Sequence, residues 1–349
     1  MRIAITTIQA PFVKGGAELH AENLKNALRE AGHEAEIITM PLMDNPILLL
    51  ENHIVAARLL EIERTWAGRA DLCIGLKFPA YFIPHSNKVI WILHQHRAAY
   101  ELFGTEFSNM QNDSDGLRMR QIVQNADNRY LREAKRIYAN SQNVSDRLLS
   151  NNGIQSTPLY HPCPDMDKYY DGGYGDYVLM PSRINITKRQ FLAVEAMCHT
   201  KSNLNLYIVG KADNPEEKAR MLDFIRDKKI TKKIKFFDYL EQDEKLALYA
   251  AARAVLFIPF DEDYGYITLE AMSASKAVIT ASDSGGPLEF VEDGKTGFVV
   301  DPSPEAIAHA VDALAQSATL AEEFGRAGKR RLRNMGISWR HVVEELTKK

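Results

Sequence analysis

Two glutamates eight residues apart form the pair whose type and spacing most clearly suggest chemistry. Glu262 lies in an acidic loop after the apolar run 254–258, and Glu270 lies in a helix predicted over residues 268–275. The apolar run has the composition of a buried parallel strand, and a second such run follows at 277–281. Because open α/β sheets bind ligands beyond the carboxyl ends of their strands, we expect both carboxylates to border one cleft.

A pair of cations precedes this stretch, between another predicted strand and helix. Arg183 and Lys188 follow an apolar strand that begins at residue 178, and a helix is predicted from residue 190. A guanidinium fork and an ammonium point charge together suit a diphosphate group. The alternative is a surface loop with ordinary charges, and the placement between strand and helix favours the anion site.

Two adjacent glycines lie at a similar junction near the start of the chain. Gly15 and Gly16 close the loop 9–16, between a strand predicted over 2–7 and a helix predicted over 17–31. Glycine lets the backbone approach a ligand closely, and a helix N-terminus presents N–H groups, so the pair suits an anion. The alternative is a tight turn. The loop is not G-x-G-x-x-G, so the dinucleotide fingerprint is absent.

Two histidines follow a strong strand candidate at residues 88–93. His94 and His96 occupy positions from which side chains of this topology face the ligand cleft. Alternating histidines also ligate metals, but no cysteine or acidic residue stands immediately beside them. Polar capping of the strand end is the third interpretation.

Length and composition limit the class of protein. The 349 residues predict two domains, at about 100–200 residues each. The net charge of −3 argues against a nucleic-acid partner. Cys73, Cys163 and Cys198 show no C-x-x-C spacing, which predicts a reducing compartment rather than disulfides or a zinc site. No run approaches the ~18 apolar residues of a membrane span, and residues 1–8 are unlike a signal peptide, so we expect a soluble cytoplasmic protein.

A segment rich in proline and glycine divides the chain. Residues 161–177 contain Pro162 and Pro164 with several glycines, a composition typical of turns and linkers. The predicted α/β organisation is a first domain at 1–165, a hinge at 166–176, a second domain at 177–325 and a C-terminal helix at 326–349.

The stretch around the two glutamates resembles the signature of glycosyltransferase family 4, the retaining sugar-nucleotide glycosyltransferases. The family's E-x7-E motif stands in a frame like E-G-F-G-x-x-x-L-E-A, and residues 262–271 are EDYGYITLEA. The resemblance covers nearly the whole chain and is stronger from residue 175 onward. It implies the GT-B fold, in which two Rossmann-like domains with parallel sheets face a central cleft and the C-terminal helix crosses back to the first domain.

The resemblance also implies roles for the charged candidates. Glu270 is expected to hold the ribose of the donor, and Glu262 is expected to act at the donor hexose. Arg183 and Lys188 are expected to hold the donor diphosphate. Ser182 stands where many members have glycine, and this leaves the cation pair intact.

The remaining site candidates are carried over from the same resemblance. His94 is expected to border the reacting sugar, with His96 as the alternative. The implied backbone contacts with the donor are Gly16, Gly265, Tyr266 and Ile267. Gly15, Tyr264 and Gly210 are weaker candidates, and at Gly210 the reason is that Ala212 replaces the second glycine of the family's G-x-G.

The function that the resemblance implies is a retaining glycosyltransferase. It would move a hexose, with a glucose-type sugar favoured, from a nucleotide diphosphate sugar to a glycan or lipid-linked acceptor. UDP is favoured over GDP, and cell-surface polysaccharide biosynthesis is the expected setting. The alternatives are a sugar-nucleotide epimerase or a phosphorylase on the same fold, and a silent sugar-nucleotide-binding protein.

No metal and no cofactor are expected, because Arg183 and Lys188 supply the positive charge that a leaving diphosphate needs. Asp261 and Asp263 form an Asp-x-Asp pattern, which holds a divalent metal in another glycosyltransferase fold. Oxygen ligands of this kind suit Mg²⁺ or Mn²⁺, so a metal site at this loop is the alternative.

A long basic helix is predicted over residues 117–136. Its arginines and lysine suit contact with anionic lipid, which would place the protein at the inner face of the cell membrane. The alternative is a solvated helix face.

Overall fold

Each half of the chain is organised around its own parallel sheet in the computed structural model, which describes residues 1–10, 15–66 and 68–348. The first unit is Met1–Pro164 together with Ser338–Lys349, and the second unit is Asp165–Ile337. Both units are α/β, as the sequence predicts. Residues 11–14, in the middle of the loop predicted to contact the diphosphate, lie outside the described residues.

The strands of the first unit are β1 (Arg2–Gln9), β2 (Glu34–Pro41), β3 (Arg64–Thr65), β4 (Gly68–Arg69), β5 (Leu72–Gly75), β6 (Lys88–Ile92), β7 (Arg136–Ala139) and β8 (Thr157–Pro158). Within the described residues, six of them form a parallel sheet in the order β2-β1-β5-β6-β7-β8. The pair β3 and β4 is a separate antiparallel hairpin.

Side chains of this sheet alternate between two apolar cores. Ile90 and Ile92 pack in one core, whereas Val89 and Trp91 pack in the other on the opposite face. A parallel strand that is covered on both faces carries a continuous apolar run, because successive side chains enter different cores. That is why β6 is recognisable in the sequence.

The strands of the second unit are β9 (Tyr177–Pro181), β10 (Asn205–Val209), β11 (Ile234–Phe237), β12 (Ala254–Leu256), β13 (Ala277–Ala281) and β14 (Gly297–Val300). Their parallel order in the described residues is β11-β10-β9-β12-β13-β14. The chain therefore winds outward in one direction from β9 and in the other from β12. The point between β9 and β12 is the topological switch point at which α/β sheets bind ligands.

The helices are α1 (Gly16–Glu30), α2 (Leu49–Leu59), α3 (Ser114–Tyr130), α4 (Gln142–Asn152), α5 (Gln190–Ala196), α6 (Pro215–Asp227), α7 (Gln242–Ala251), α8 (Tyr266–Ser273), α9 (Pro304–Gln316), α10 (Ala318–Asn334) and α11 (Trp339–Thr347). Several begin at side-chain caps. The Ser141 hydroxyl accepts a hydrogen bond from Val144 N at 3.1 Å, and that of Ser303 accepts from Ala306 N at 3.3 Å. Such caps satisfy N–H groups that the helix itself leaves without a partner.

The basic helix predicted over residues 117–136 is shorter in the structure. α3 ends at Tyr130, and β7 begins at Arg136. Lys135 N donates to the Lys88 carbonyl at 2.9 Å, so the chain must leave the helix before that residue to pair with β6.

The helix predicted over residues 326–349 is two helices, α10 and α11. Gly336 between them has φ +64°, a conformation that favours glycine and ends a helix. Ser338 then caps α11 by accepting from His341 N at 3.2 Å. The second of these helices belongs to the first unit, where Val342 and Leu346 pack in its core.

Hydrogen bonds hold residues of the predicted hinge against the second unit. The buried Lys276 Nζ donates to Asp171 Oδ1 at 2.9 Å and to the Gly173 carbonyl at 2.6 Å. Gly172 N also donates to the Ala250 carbonyl at 2.9 Å. Residues 171–173 are therefore part of the second unit's body.

None of the helices in the described part of the chain is both long and apolar enough to cross a membrane.

Candidate functional site

The predicted diphosphate lysine and the predicted hexose-facing glutamate meet at the switch point of the second sheet. Lys188 follows β9, Glu262 follows β12, and their side chains form an ion pair. Each side chain is about one-fifth exposed, at 21% for Lys188 and 20% for Glu262. The fold thus brings together two candidates that lie 74 residues apart in the sequence.

Backbone hydrogen bonds connect the loops that carry these two residues. Phe260 N donates to the Thr187 carbonyl at 2.7 Å, which joins the loop after β12 to the loop after β9. Glu262 N donates to the Ser284 carbonyl at 2.9 Å, and Gly286 N donates to the Glu262 carbonyl at 2.7 Å. Glu262 is therefore fixed on both sides of its backbone by the loop after β13.

Arg183 contacts a carboxylate at the end of the neighbouring strand. Its Nη1 lies 2.9 Å from Asp213 Oδ1, and its side chain is 58% exposed. Asn185 Nδ2 donates to the other oxygen of the same carboxylate at 2.8 Å. The guanidinium thus lies at the exposed mouth of the site and has Asp213 as its counter-ion.

Glu270 is buried and held by two side chains of α7. Lys245 Nζ donates to Glu270 Oε1 at 2.8 Å, and the Tyr249 hydroxyl donates to Oε2 at 2.5 Å. Glu270 is the fifth residue of α8, which begins two residues earlier than the sequence predicts. The earlier start is possible because Gly265, at φ +88°, turns the chain directly into the helix.

The predicted backbone contacts lie at the first turn of α8. Gly265 is its N-cap, and Tyr266 and Ile267 begin the helix, where N–H groups have no carbonyl partner within the helix. A Cβ on Gly265 would lie 2.9 Å from Phe257 Cε1, so this position requires glycine for space as well as for φ. Tyr264 is buried and packs edge-on against Phe290 at 5.5 Å, which makes it part of the loop's core.

Gly210 has a structural reason to be glycine. A Cβ there would lie 2.0 Å from the Ser182 carbonyl oxygen, and its φ of +147° disfavours other residues. The loops after β9 and β10 approach each other at this point. Gly210 thus shapes the loop that carries Arg183.

In the first unit, Gly15 and Gly16 form the start of α1. Gly15 is the N-cap and Gly16 is the exposed first helical residue. Gly15 N donates to Glu18 Oε2 at 2.8 Å, so an acidic side chain of the helix already uses this N–H group. Between the two glycines, this leaves Gly16 as the better candidate for a ligand contact.

The structure distinguishes the two histidines after β6. The His96 ring packs 5.1 Å from that of Phe78, and burial lowers the pKa of His96 to about 4. Its Nε2 is buried and has no hydrogen-bond partner among the described residues. His94 is half-buried, and its Nδ1 donates to the Gln95 carbonyl at 2.6 Å, which orients the ring.

A buried polar network anchors the residue between these histidines. Gln95 Nε2 donates to Asp127 Oδ2 at 2.9 Å, and the hydroxyls of Tyr81 and Tyr100 also donate to this carboxylate, at 2.9 and 2.7 Å. Burial raises the pKa of Asp127 to about 6 despite these hydrogen bonds. The network fixes the turn that carries His94.

The residues that hold the candidates in place carry no signal in the sequence alone. Lys245 and Tyr249 are four residues apart on one face of α7, a spacing that the sequence shows but that has no meaning without Glu270. Arg189 and Asp283 form a bidentate pair with both bonds at 2.7 Å between the loops after β9 and β13. Each of these residues is ordinary in its local sequence.

The described residues contain no group of three or more histidine, cysteine or carboxylate side chains arranged to hold a metal ion. Asp261, of the Asp-x-Asp pattern, has φ +46°, and its N–H donates to the Asp283 carbonyl at 2.8 Å. The pattern therefore forms part of the interlocked loops.

Residues 173–331 match the family model of glycosyl transferases group 1. A segment of 169 residues, 45% of this chain, is 27% identical to the alpha-1,3/1,6-mannosyltransferase ALG2 of Homo sapiens and spans 40% of that protein. The chain thus matches less than half the length of this curated relative.

Solved structures match almost the whole chain. Sucrose-phosphate synthase from Thermosynechococcus elongatus has a TM-score of 0.79 at 16% identity, over 99% of this chain and 97% of that one. HepE of Anabaena, in complex with UDP and glucose, has a TM-score of 0.72 at 18% identity, over 99% and 98% of the two chains. Residues 173–331, a little under half of the chain, thus resemble the glycosyl transferases group 1 family, and the chain has the GT-B fold of two α/β units with parallel sheets.

Proposed function

We propose that this protein is a retaining glycosyltransferase that moves a hexose from a nucleotide diphosphate sugar to a glycan or lipid-linked acceptor. The observation that carries the proposal is the meeting of Lys188 and Glu262 at the switch point of the second sheet. A cation for a diphosphate and a carboxylate for sugar hydroxyls lie side by side there. The family match over residues 173–331 supports the same activity.

The donor would lie across the carboxyl edge of the second sheet. Glu270 would accept the ribose hydroxyls, and the first turn of α8 would offer N–H groups to the phosphates or sugar. Lys188 and Arg183 would stabilise the negative charge that grows on the leaving diphosphate. Glu262 would bind the hexose hydroxyls and so orient the anomeric carbon.

Retention would follow from attack on the face that the diphosphate leaves. The bond from the anomeric carbon to the phosphate oxygen breaks, and the bond to the acceptor oxygen forms on the same face. The leaving phosphate oxygen takes the acceptor proton, so no protein base is needed. The chain's own residues contribute positioning and charge stabilisation.

For the first unit we propose acceptor binding. His94 is its candidate for contact with the reacting sugar, because its ring is only half-buried and its orientation is fixed through Nδ1. Gly16 is its candidate for a diphosphate contact through the start of α1. Both assignments rest on the resemblance in sequence and on these local geometries.

UDP is the nucleotide that we favour, and the HepE complex with UDP and glucose supports this choice. A glucose-type hexose is favoured for the same reason, although the relative named as a mannosyltransferase makes mannose the first competitor. Cell-surface polysaccharide biosynthesis is the proposed setting.

Membrane contact through residues 117–136 stays a proposal. Four of the arginines there have hydrogen-bonding partners in the protein. Arg118 pairs with Glu51 at 2.8 Å, and Arg120 Nε donates to the Ala99 carbonyl at 3.1 Å. Arg132 and Arg136 donate to the carbonyls of Asn152 and Leu346 at 2.9 and 3.3 Å. The contact with anionic lipid would therefore fall to the remaining exposed basic residues of the segment, Arg129 and Lys135.

The test is a panel of UDP- and GDP-linked hexoses, screened for binding and for slow hydrolysis of the donor. We expect a UDP-hexose to raise the melting temperature and to be hydrolysed with retention of the anomeric configuration, which NMR detects. Binding without any turnover would support the silent sugar-nucleotide-binding alternative. Interconversion of two nucleotide sugars would indicate an epimerase, and turnover that depends on inorganic phosphate would indicate a phosphorylase.

A further inference from the structure

The carboxylate of Glu270 is held at both oxygens before any ligand arrives. Lys245 Nζ occupies one position on Oε1, and the Tyr249 hydroxyl occupies one position on Oε2. Both donors come from a single face of α7, four residues apart. The carboxylate is therefore fixed in rotation as well as in place.

The environment of this carboxylate is nearly closed. The Glu270 side chain is 7% exposed, that of Lys245 is 32% exposed, and Tyr249 is fully buried. A buried charge is costly unless it is paired and hydrogen-bonded. Lys245 supplies the opposite charge and Tyr249 a second hydrogen bond, so the buried carboxylate is both paired and hydrogen-bonded.

The Glu270 carboxylate keeps hydrogen-bond acceptor positions for a ligand. An ionised carboxylate has about four lone-pair positions, two on each oxygen. Lys245 uses one on Oε1 and Tyr249 uses one on Oε2, so each oxygen keeps one. Two adjacent hydroxyl donors would complete the set, and the 2′- and 3′-hydroxyls of a ribose are such a pair.

We propose that Lys245 and Tyr249 are positioning residues that make Glu270 selective for the vicinal diol of a ribonucleotide. The inference rests on the proposed function, because it assumes that Glu270 binds the nucleotide's ribose. A site built to bond a hydroxyl discriminates strongly against an analogue without it, since a buried acceptor is then left unmatched. If either donor is lost, the carboxylate can rotate and the freed position can accept water, so the discrimination falls.

The experiment compares dissociation constants of UDP and GDP with those of their 2′-deoxy forms by calorimetry. For the wild-type protein we expect the ribonucleotide to bind about 10- to 100-fold more tightly than its 2′-deoxy form, the loss expected for one hydrogen bond to a charged group. In K245M and Y249F the preference should fall at least severalfold. K245R keeps the charge and should restore most of it.

Matched controls separate this role from general destabilisation. K232M removes an exposed lysine beyond the other end of the sheet. Y177F removes a tyrosine hydroxyl that donates to the Leu248 carbonyl at 2.7 Å, in the same helix as Tyr249. Both controls should keep the wild-type preference. A purely structural role of Lys245 or Tyr249 would change the melting temperature and both affinities but not their ratio.

The outcomes are distinguishable. If the wild-type protein binds neither UDP nor GDP, the proposed function fails and the inference fails with it. If it prefers the ribonucleotide, and folded K245M and Y249F keep the same preference, the inference is overturned and the proposed function stands. Equal binding of ribo and deoxy forms by the wild-type protein would also overturn the inference. E270Q, which retains the side-chain shape, should abolish the preference if Glu270 is the residue that recognises the diol.

Discussion

At the residue scale, the two candidates nearest the proposed reaction neutralise each other. Lys188 and Glu262 are paired, so neither charge is fully available to a ligand in this state. A diphosphate that binds Lys188 competes with Glu262, and a hexose that binds Glu262 benefits when the lysine turns to the phosphate. The pair therefore couples diphosphate binding to the carboxylate that is proposed to hold the sugar.

Glu262→Gln should tighten the binding of UDP alone while lowering turnover. The substitution removes the competitor for Lys188, and a partly buried pair of this kind is worth on the order of 1 kcal/mol, or about a 5-fold change in affinity. Lys188→Met should instead weaken UDP binding by about 1.5–3 kcal/mol, through loss of a charged contact. Calorimetry and steady-state rates measure both effects.

Glu292→Gln is the matched control. Like Glu262, Glu292 pairs with a basic residue of the second unit, but its partner, Arg331, lies outside the site. It should leave UDP affinity unchanged. Weaker UDP binding by Glu262→Gln would show that the carboxylate supports the diphosphate site instead of competing with it.

Turnover should survive an excess of EDTA. The charge on the leaving diphosphate is proposed to be stabilised by Lys188 and Arg183, which are fixed parts of the chain and are not removed by a chelator. The measurement is donor hydrolysis and transfer with and without EDTA. Loss of activity that Mn²⁺ restores would instead assign Asp261 and Asp263 as metal ligands.

At the element scale, the site depends on the contacts between the loops that follow β9, β12 and β13. Arg189, next to Lys188, has φ +58°, a conformation that costs energy for a residue other than glycine. Its guanidinium is held by both oxygens of Asp283, whose backbone carbonyl also binds Asp261 N, next to Glu262. Asp283 thus supports the neighbours of both Lys188 and Glu262.

Asp283→Asn should lower kcat/KM by about 10- to 100-fold, equivalent to about 1.4–2.7 kcal/mol of transition-state stabilisation. The amide cannot accept both N–H groups of Arg189, so the loop with Lys188 loses its position. Asp301→Asn, at an exposed residue just after β14, is the control and should retain full activity. Unchanged kinetics for Asp283→Asn would mean that the backbone hydrogen bonds alone hold the loops.

The strands could be predicted from the sequence, but the side-chain contacts that hold the loops together could not. Buried parallel strands such as β6 and β13 are short apolar runs, so their existence follows from composition. The pair of Arg189 and Asp283 joins residues 94 apart, and neither has a distinctive neighbour. Glu262, Glu270 and Lys188 were predicted because each occupies a recognised motif position, whereas their partners act only through contacts that the tertiary fold creates.

At the scale of the whole molecule, the first unit is completed by the end of the chain. α11 packs on α1, and Trp339 joins an aromatic cluster with His20, Trp91 and His161. The ring of His20 lies 4.4 Å from that of Trp91 and 4.3 Å from that of His161. The core of the first unit therefore combines residues from its first helix, its sheet and the chain's last helix.

This cluster makes the stability of the first unit depend on pH. Burial lowers the pKa of His161 to about 3, and that of His20 also lies well below its usual value near 6.5. The unfolded chain takes up these protons below pH 6.5, whereas the folded unit excludes them. The stability that His161 contributes is thus complete above pH 6.5 and is lost as the pH drops from 6.5 towards 3, by about 1.4 kcal/mol per pH unit, and the contribution of His20 changes in the same direction.

His161→Phe should remove one histidine's share of this loss. Phenylalanine preserves an aromatic ring in the cluster but does not titrate, so between pH 6.5 and 5.0 the wild-type protein should lose about 2 kcal/mol more stability than the variant. All three tryptophans, Trp66, Trp91 and Trp339, belong to the first unit, so tryptophan fluorescence in urea titrations reports on this unit. Asp127, whose raised pKa works in the opposite direction, is common to both proteins and cancels in the comparison. The exposed His341 gives a control, since His341→Phe should keep the wild-type pH dependence of stability. Equal losses of stability in all three proteins would show that His161 takes up its proton without unfolding.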